Sequence, residues 1–186
     1  MIPAVELVMS LRYALGDMQG LTISDYQLLE PINQAASRLY GALSQRYVHA
    51  VCKHISMIVP TGGTYTLPSD FVRVHQVTGD DGVLVPTSML PVAEGSYRIL
   101  GNTLYAVKGT YGLEYYYIPS RLKTLSDNLD VTENMRTYIE QIALALYGRD
   151  LQTADYLIQQ CENVLAGRTV SYVPNTGPAQ VLGGKV

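Results

Sequence analysis

The stretch Tyr-Thr-Leu-Pro-Ser-Asp-Phe, residues 65–71, constrains the fold more than any other part of this chain. The alternation of polar and apolar side chains over residues 64–67 predicts a half-buried strand. Pro68 has no N–H to donate to a ladder, so the strand must end there, and Ser69 and Asp70 favour a polar turn. Phe71, the only phenylalanine in 186 residues, then begins a new strand. This pattern predicts a small sheet hinged onto a helical body.

Further strand and turn signals surround this stretch. Residues 55–59 alternate in polarity, Asp80-Asp81-Gly82 favours a hairpin turn, and Gly101-Asn102 favours a two-residue hairpin because both residues tolerate a positive φ. A last strand is predicted over residues 113–118, ended by Pro119. We therefore expect a mostly antiparallel β-domain built from local hairpins, with both turns exposed and pointing away from the helices.

Two helices are predicted before the β region. Pro3 suits the first turn of a helix, and Gly16 suits its end. Ser24 and Gln27 form a capping-box pattern, so a second helix should begin at Asp25. In the first helix, residues at helical spacing are Val5, Val8, Met9, Arg12 and Leu15. The predicted apolar face of the second helix is Ile32, Ala35, Ala36, Leu39, Tyr40, Leu43 and Tyr47. Pro31 should kink the second helix or mark a restart, because its ring clashes with the carbonyl four residues back.

Helical periodicity returns after the β region. Asp130 and Glu133 have capping-box spacing and predict a helix start. An apolar stripe follows at Met135, Tyr138, Ile139, Ile142, Ala143, Leu146 and Tyr147. Gly148 weakens the helix, and residues 151–165 are either its bent continuation or a separate helix. The stripe should pack against the apolar face of the second helix.

These patterns predict an α+β fold with three parts. A helical bundle body is expected from residues 1–54 and 120–167, with an inserted small antiparallel β-domain over residues 55–119. Residues 168–186 contain prolines and glycines without a helical or strand period, and predict an extended C-terminal arm.

Composition indicates binding to a protein partner. The net charge of −3 argues against a general nucleic-acid binder, and only 16% of residues are charged against 47% hydrophobic. Tyrosine, which is enriched at protein interfaces, occurs 15 times. No basic leader begins the chain and no apolar run reaches 18 residues, so neither secretion nor a membrane span is expected.

Motifs that carry chemistry are scarce. Neither a phosphate-binding glycine loop nor a nucleophile elbow occurs in the chain. Cys52 and Cys161 both fall in helical patterns, and we expect two reduced, buried thiols. The nearest approach to a metal site is His49, Cys52 and His54, for which no fourth ligand is evident. We predict no catalytic, cofactor or metal site, with a small enzyme or metal-binding protein as the alternative.

Several weak motifs in a fixed order resemble one family. They are Leu15-Gly16-Asp17, Ser24 to Leu29, Ile32 to Ala35, Tyr65 to Phe71, and Leu113 to Pro119 leading into the helix of residues 130–147. Over residues 5–165 the chain resembles the head-to-tail adaptor, or connector, proteins of tailed bacteriophages, including the tubular adaptors of short-tailed phages.

The resemblance implies a structural role in the virion neck. Such a protein is made in the host cytoplasm, forms a ring of commonly twelve copies, docks onto the portal and presents a surface to a tail or nozzle protein. No membrane and no sequence-specific nucleic acid is implied as a partner, although DNA passes through the lumen of such a ring. A tail-completion protein or another neck protein is the nearest alternative.

Two sets of residues are predicted to bind partners. The first comprises the hairpin turns at Asp80, Asp81, Gly101 and Asn102, since loops on a rigid scaffold often form binding surfaces. The second lies in the predicted arm, which can bind by ordering against a neighbour, and comprises Tyr172, Val173, Pro174 and Leu182.

Overall fold

The computed structural model describes residues 1–46 and 48–165. It is a mixed α+β fold with four helices and mostly antiparallel sheets in this part of the chain. The strands are β1 (Ile2–Pro3), β2 (Cys52–Val59), β3 (Thr64–Thr66), β4 (Phe71–Gly79), β5 (Gly82–Val83), β6 (Val85–Pro86), β7 (Ser96–Leu100), β8 (Thr103–Ala106), β9 (Gly109–Tyr117) and β10 (Asn128–Leu129). The helices are α1 (Ala4–Leu15), α2 (Asp25–Gln45), α3 (Arg136–Tyr147) and α4 (Leu151–Leu165).

Two four-stranded sheets make up the β region. Their orders are β2-β9-β4-β5 and β3-β8-β7-β6, and short connections at Leu84 and at residues 60–63 join their edge strands. The buried residues of both sheets belong to one apolar core. The expectation of local hairpins is only partly right, because β9 pairs with β2 and β4 across long stretches of chain and β6 pairs with β7 in parallel.

The strand break at Pro68 is confirmed. β3 ends at Thr66, Leu67 is buried, and β4 begins at Phe71. A turn closes between them, in which the Phe71 N–H donates to the Pro68 carbonyl at 3.1 Å. The proline therefore separates strands that belong to different sheets.

The first helix ends as predicted but buries a different face. Gly16 takes φ +73°, a left-handed conformation that favours glycine, and its N–H donates to the carbonyl of Tyr13. The buried face contains Ala4, Leu7, Val8 and Leu11. The prediction was wrong for Val5 and Met9, each of which is 44% exposed. Leucines at a second helical spacing fill the core instead.

The second helix confirms its predicted start. The Ser24 hydroxyl accepts the Gln27 N–H, and the Gln27 side chain accepts the Ser24 N–H at 2.8 Å. The helix runs through Pro31 without a break, and this proline is buried. Tyr47 lies outside the described residues.

The structure decides two predictions about the C-terminal helices: whether residues 151–165 form a separate helix, and where the preceding helical turn begins. Gly148, Arg149 and Asp150 separate α3 from α4, and the Asp150 carboxylate caps α4 by accepting the Thr153 N–H at 3.0 Å. The predicted capping box at Asp130 and Glu133 is wrong, because the preceding 3₁₀ turn starts after Thr132 and the Asp130 carboxylate pairs with Lys53.

The helices pack mainly through α2 and α3. Ile139, Ile142 and Ala143 of the predicted stripe are fully buried, as are Leu39 and Leu43 of α2. α1 and α4 each contact both of these helices. The division into residues 1–54 with 120–167, 55–119 and 168–186 stays a prediction, and the last of these segments lies outside the described residues.

An ion pair fastens the turn between α1 and α2. The Arg12 guanidinium donates to Asp17 at 2.8 Å and to Asp25 at 2.5 Å, and both Arg12 and Asp17 are buried. Burial alone would raise the pKa of Asp17, but hydrogen bonds from Thr22 and the N–H groups of Ile23 and Leu21 outweigh it, so this pKa is lowered.

This geometry predicts a pH-dependent contribution to stability. A carboxyl whose pKa is lower in the folded state stabilises the fold above its unfolded pKa of about 4, and this contribution is lost as the pH falls through the folded pKa. Asp17→Asn should therefore destabilise the protein at pH 7 and much less at pH 3, measured by urea unfolding. Asp81→Asn, in an exposed turn, is the control, and an Asp17→Asn effect that is the same at both pH values would contradict this account.

Candidate interaction surfaces

A cluster around Lys53 joins the sheets to the segment that precedes α3. The Lys53 ammonium lies 2.6 Å from the Asp70 carboxylate, contacts the Asp130 carboxylate, and lies 4.0 Å from the centre of the Tyr117 ring. Burial would lower the pKa of Lys53, but the bonds from Asp130 and Asp70 outweigh it and the pKa is raised. The strand break at Asp70 is thus tied directly to the helical side of the molecule.

Tyrosines of β9 extend this junction. The Tyr117 hydroxyl donates to the Asp130 carbonyl at 2.9 Å, and its ring packs edge-on against Tyr40 of α2 with centroids 5.2 Å apart. The Tyr115 hydroxyl donates to Asp70 at 3.1 Å. The hydroxyls of Tyr115 and Tyr117 are therefore used in hydrogen bonds within the subunit. Tyr13 and Tyr26, by contrast, are each 76% exposed.

The turn at Asp80 and Asp81 forms an acidic tip far from the helices. β4 starts at Phe71, which pairs with Tyr117, and runs to Gly79. At about 3.3 Å per residue, the tip lies about 25 Å from Phe71, which is at the end of the sheet next to the helices. Both aspartates are exposed, as expected. They border a polar cavity of about 270 Å³ together with Glu94 and Lys108. Three carboxylates thus face one ammonium group.

The turn at Gly101 and Asn102 is exposed but lies at the opposite end of the sheets. The Asn102 carbonyl accepts the Leu67 N–H at 3.0 Å, which brings the turn beside the strand break and close to the start of β4. The expectation that both turns point away from the helices is therefore wrong for Gly101-Asn102. Only Gly101 takes a positive φ, +57°, among these two residues. The two predicted turn sites do not form one surface.

The other predicted site residues, Tyr172, Val173, Pro174 and Leu182, lie outside the described residues. Their role in binding a partner stays a prediction.

An apolar ridge on α1 is a surface feature that sequence reasoning missed. Val5, Met9 and Tyr13 follow one another at a spacing of four residues, and all three are exposed. We call these three residues the α1 ridge. A cavity of about 620 Å³ separates it from Glu140 and Leu144 of α3. Apolar side chains at this spacing outside the core make the α1 ridge a candidate interaction surface.

A groove runs between α2 and α4. Its walls carry Ser37, Gly41 and Ala42 from α2 and Leu151 and Ile158 from α4, around a volume of about 440 Å³. We call this feature the α2–α4 groove. Three small residues on one helix allow another helix to approach closely.

Of the three residues in the metal-binding alternative, the structure describes the side chains of Cys52 and His54. Cys52 and His54 lie in strand β2, so the helical pattern predicted for Cys52 is wrong, whereas Cys161 lies in α4 and is buried. His54 and His75 flank Glu114 at 3.7 and 3.9 Å. No group of three His, Cys, Asp or Glu side chains among the described residues is arranged to hold a metal ion. Among the same residues, no helix is both long and apolar enough to cross a membrane.

Comparison with known proteins gives one positive result. No curated protein matches the chain. The family described as SU10 adaptor protein matches residues 3–173, which include the α1 ridge, the α2–α4 groove and the Lys53 cluster. The match confirms the resemblance to phage adaptors, and implies a structural component of the virion that contacts other phage proteins rather than an enzyme. The chain belongs to the SU10 adaptor protein family.

Proposed function

We propose that this protein is the head-to-tail adaptor of a tailed phage. Twelve copies form a ring in the virion neck, dock onto the portal and provide the attachment surface for a tail or nozzle protein. The exposed α1 ridge is the observation that carries this proposal, since a chain with this apolar surface gains most by burying it against another subunit. The low charge fraction agrees with a protein that buries surface on assembly.

The helices supply the body of the ring in this proposal. Helices α1 to α4 form a bundle, supported by the packing of α1 and α4 against both α2 and α3. The Lys53 cluster then holds the sheets in a fixed direction relative to that body. A fixed direction matters because the sheets must present the same surface in every subunit of a ring.

The acidic tip faces the tail in this arrangement. Asp80 and Asp81 are exposed and lie far from the helical end, so they reach a component that the body does not touch. Gly101 and Asn102, at the other end of the sheets, and the arm residues 168–186 face the portal or an adjacent subunit.

Docking onto the portal tests this function directly. The purified chain, mixed with portal rings of the same phage, should form a complex that contains one adaptor per portal subunit, measured by mass photometry and electron microscopy. A monomeric chain before mixing agrees with the proposal. A chain that ignores the portal but is found on free tails would instead be a tail-completion protein.

Reversing the charge of the tip should separate the two ends of the adaptor. Asp80→Lys with Asp81→Lys should leave portal docking intact and block tail joining, so that filled heads with adaptors but without tails accumulate. The physical reason is repulsion where the wild-type tip carries three carboxylates beside one lysine. Asp80→Asn with Asp81→Asn is the matched control and should give a milder defect. Normal tail attachment in the lysine variant would remove the tip from the interface.

A further inference from the structure

We propose that residues 169–173 of the C-terminal arm add a strand to the open edge of β2 in their own subunit. The sheet order β2-β9-β4-β5 leaves β2 at an edge, and its eight residues all pair with β9 on one side. Along an antiparallel pair, every second residue directs its N–H and C=O away from the partner strand. In residues 1–46 and 48–165, no strand pairs with these outward groups of β2. The proposal concerns the single subunit and does not depend on the ring.

β2 lacks the features that keep many edge strands from pairing with another chain. Those features are a short length, an exposed lysine, a proline or a bulge. β2 has eight residues in a regular register with β9, whereas β4 shifts its register twice against the same strand. Lys53 is held by Asp70 and Asp130, and neither lysine nor proline occurs from His54 to Val59. An edge of this kind accepts a further strand.

Helix α4 brings the chain to the side of the helices from which β2 begins. The two helices α2 and α4 run in the same direction, as two ion pairs between them show. The Arg38 guanidinium and the Asp155 carboxylate are 3.7 Å apart, and further along both helices the same distance joins Arg46 and Glu162. Cys52, the first residue of β2, follows Arg46 by six positions. The end of α4 therefore lies on the same side of the helices as the start of β2.

A second contact places the end of α4 near Lys53. The Cys161 thiol lies 4.0 Å from the sulfur of Met135, just before α3. Met135 follows Asp130 by five positions, and the Asp130 carboxylate contacts the Lys53 ammonium of β2. Leu165, the last residue of α4, is about one turn beyond Cys161. Residues 166–168 can span about a further 10 Å, which carries the arm from this position toward the edge of β2.

The sequence of the arm identifies the segment that pairs. Thr169-Val170-Ser171-Tyr172-Val173 contains two valines, a threonine and a tyrosine, which are favoured in strands. Pro174 has no N–H to donate and ends the segment. Five residues cover about 17 Å of β2. Because the arm and β2 both lead away from the helices, the two strands are parallel. Residues 174–186 continue beyond the pairing and face the portal or an adjacent subunit.

This pairing keeps the edges of free subunits from joining. An uncovered edge strand is a template on which another copy of the chain can pair. Attachment to the same subunit gives the arm a higher effective concentration at β2 than a second chain has. The arm therefore outcompetes the edge of another subunit.

Amide hydrogen exchange followed by NMR tests the pairing in the full chain. The wild-type protein should protect the outward-facing amides of β2 as well as those that pair with β9. Val170→Pro with Ser171→Pro removes two consecutive N–H groups, one of which is directed at β2. This variant should speed exchange of the outward-facing amides at least about tenfold, while the amides that pair with β9 keep their protection.

A matched variant in the same arm serves as the control. Val181→Pro with Leu182→Pro lies beyond Pro174 and should change neither set of amides. Equal exchange of the outward-facing amides in the wild type and in Val170→Pro with Ser171→Pro would overturn the inference.

Cross-linking distinguishes pairing within a subunit from pairing between subunits. In a Cys52→Ser background, Ser56→Cys with Ser171→Cys should give a cross-linked monomer when treated with a short bismaleimide. Cys161 is fully buried and should not react. The yield should be independent of protein concentration. Cross-linked dimers whose yield rises with concentration would place the arm on another subunit and overturn the inference, and so would a folded protein that gives no cross-link.

Discussion

Replacing Ile142 by alanine should lower the free energy of unfolding by about 2–4 kcal/mol. Ile142 is fully buried on the face of α3 that packs toward α2, where Leu39 and Leu43 are also fully buried. The variant loses apolar contacts and leaves a cavity that rigid helices cannot close. Chemical denaturation followed by circular dichroism measures the change.

A control on the same helix isolates the effect of burial. Gln141→Ala changes an exposed neighbour and should shift the free energy of unfolding by no more than about 0.5 kcal/mol. An Ile142→Ala protein with an unchanged unfolding midpoint would show that the α2–α3 interface is not the core of the helical side.

Replacing Lys53 by methionine should lower the free energy of unfolding by about 2–3 kcal/mol. The variant keeps much of the side-chain volume but leaves the carboxylates of Asp70 and Asp130 without their shared cation. Two neighbouring, partly buried carboxylates then repel each other without a cation between them. Lys53→Arg retains the charge and should recover most of the stability.

A double variant tests whether the loss comes from the ion pairs. Lys53→Met combined with Asp70→Asn should be less destabilised than the sum of the two single variants, since the second change removes one unpaired charge. Strict additivity, or no loss in Lys53→Met, would mean that the cluster does not hold the sheets against the helical side.

Local sequence signals predicted several parts of the fold correctly. Pro68 cannot donate to a ladder, so its strand had to end, and the hairpins at Asp80-Asp81 and Gly101-Asn102 depend on residues inside the turns. The capping box at Ser24 likewise needs only four consecutive residues. In each case the deciding interaction lies within a few positions of the chain.

Interactions distant in sequence explain the wrong predictions. The spacing of Asp130 and Glu133 suits a helix cap, but Asp130 lies beside Lys53, which is 77 positions earlier in the chain. Cys52 follows a helical pattern, yet pairing with Tyr116 makes it a strand residue. The location of Gly101-Asn102 depends on the pairing of β8 with β3. None of these partners can be identified from periodicity.

The α1 ridge shows a different limit of prediction from sequence. α1 is apolar on more than one side, and both Val5-Met9-Tyr13 and Ala4-Leu7-Leu11 have helical spacing. Periodicity alone does not say which stripe faces the core. The structure buries Ala4, Leu7 and Leu11 in the core and leaves Val5, Met9 and Tyr13 exposed. The misassigned stripe became the main candidate for assembly.

A cryo-electron microscopy reconstruction of the virion neck tests the central proposal most directly. We expect this chain as a closed ring between the portal and the tail, with its helices forming the contacts between subunits and Asp80 and Asp81 directed toward the tail. Absence of the chain from the particle, or its presence as isolated copies outside the neck, would contradict the proposal.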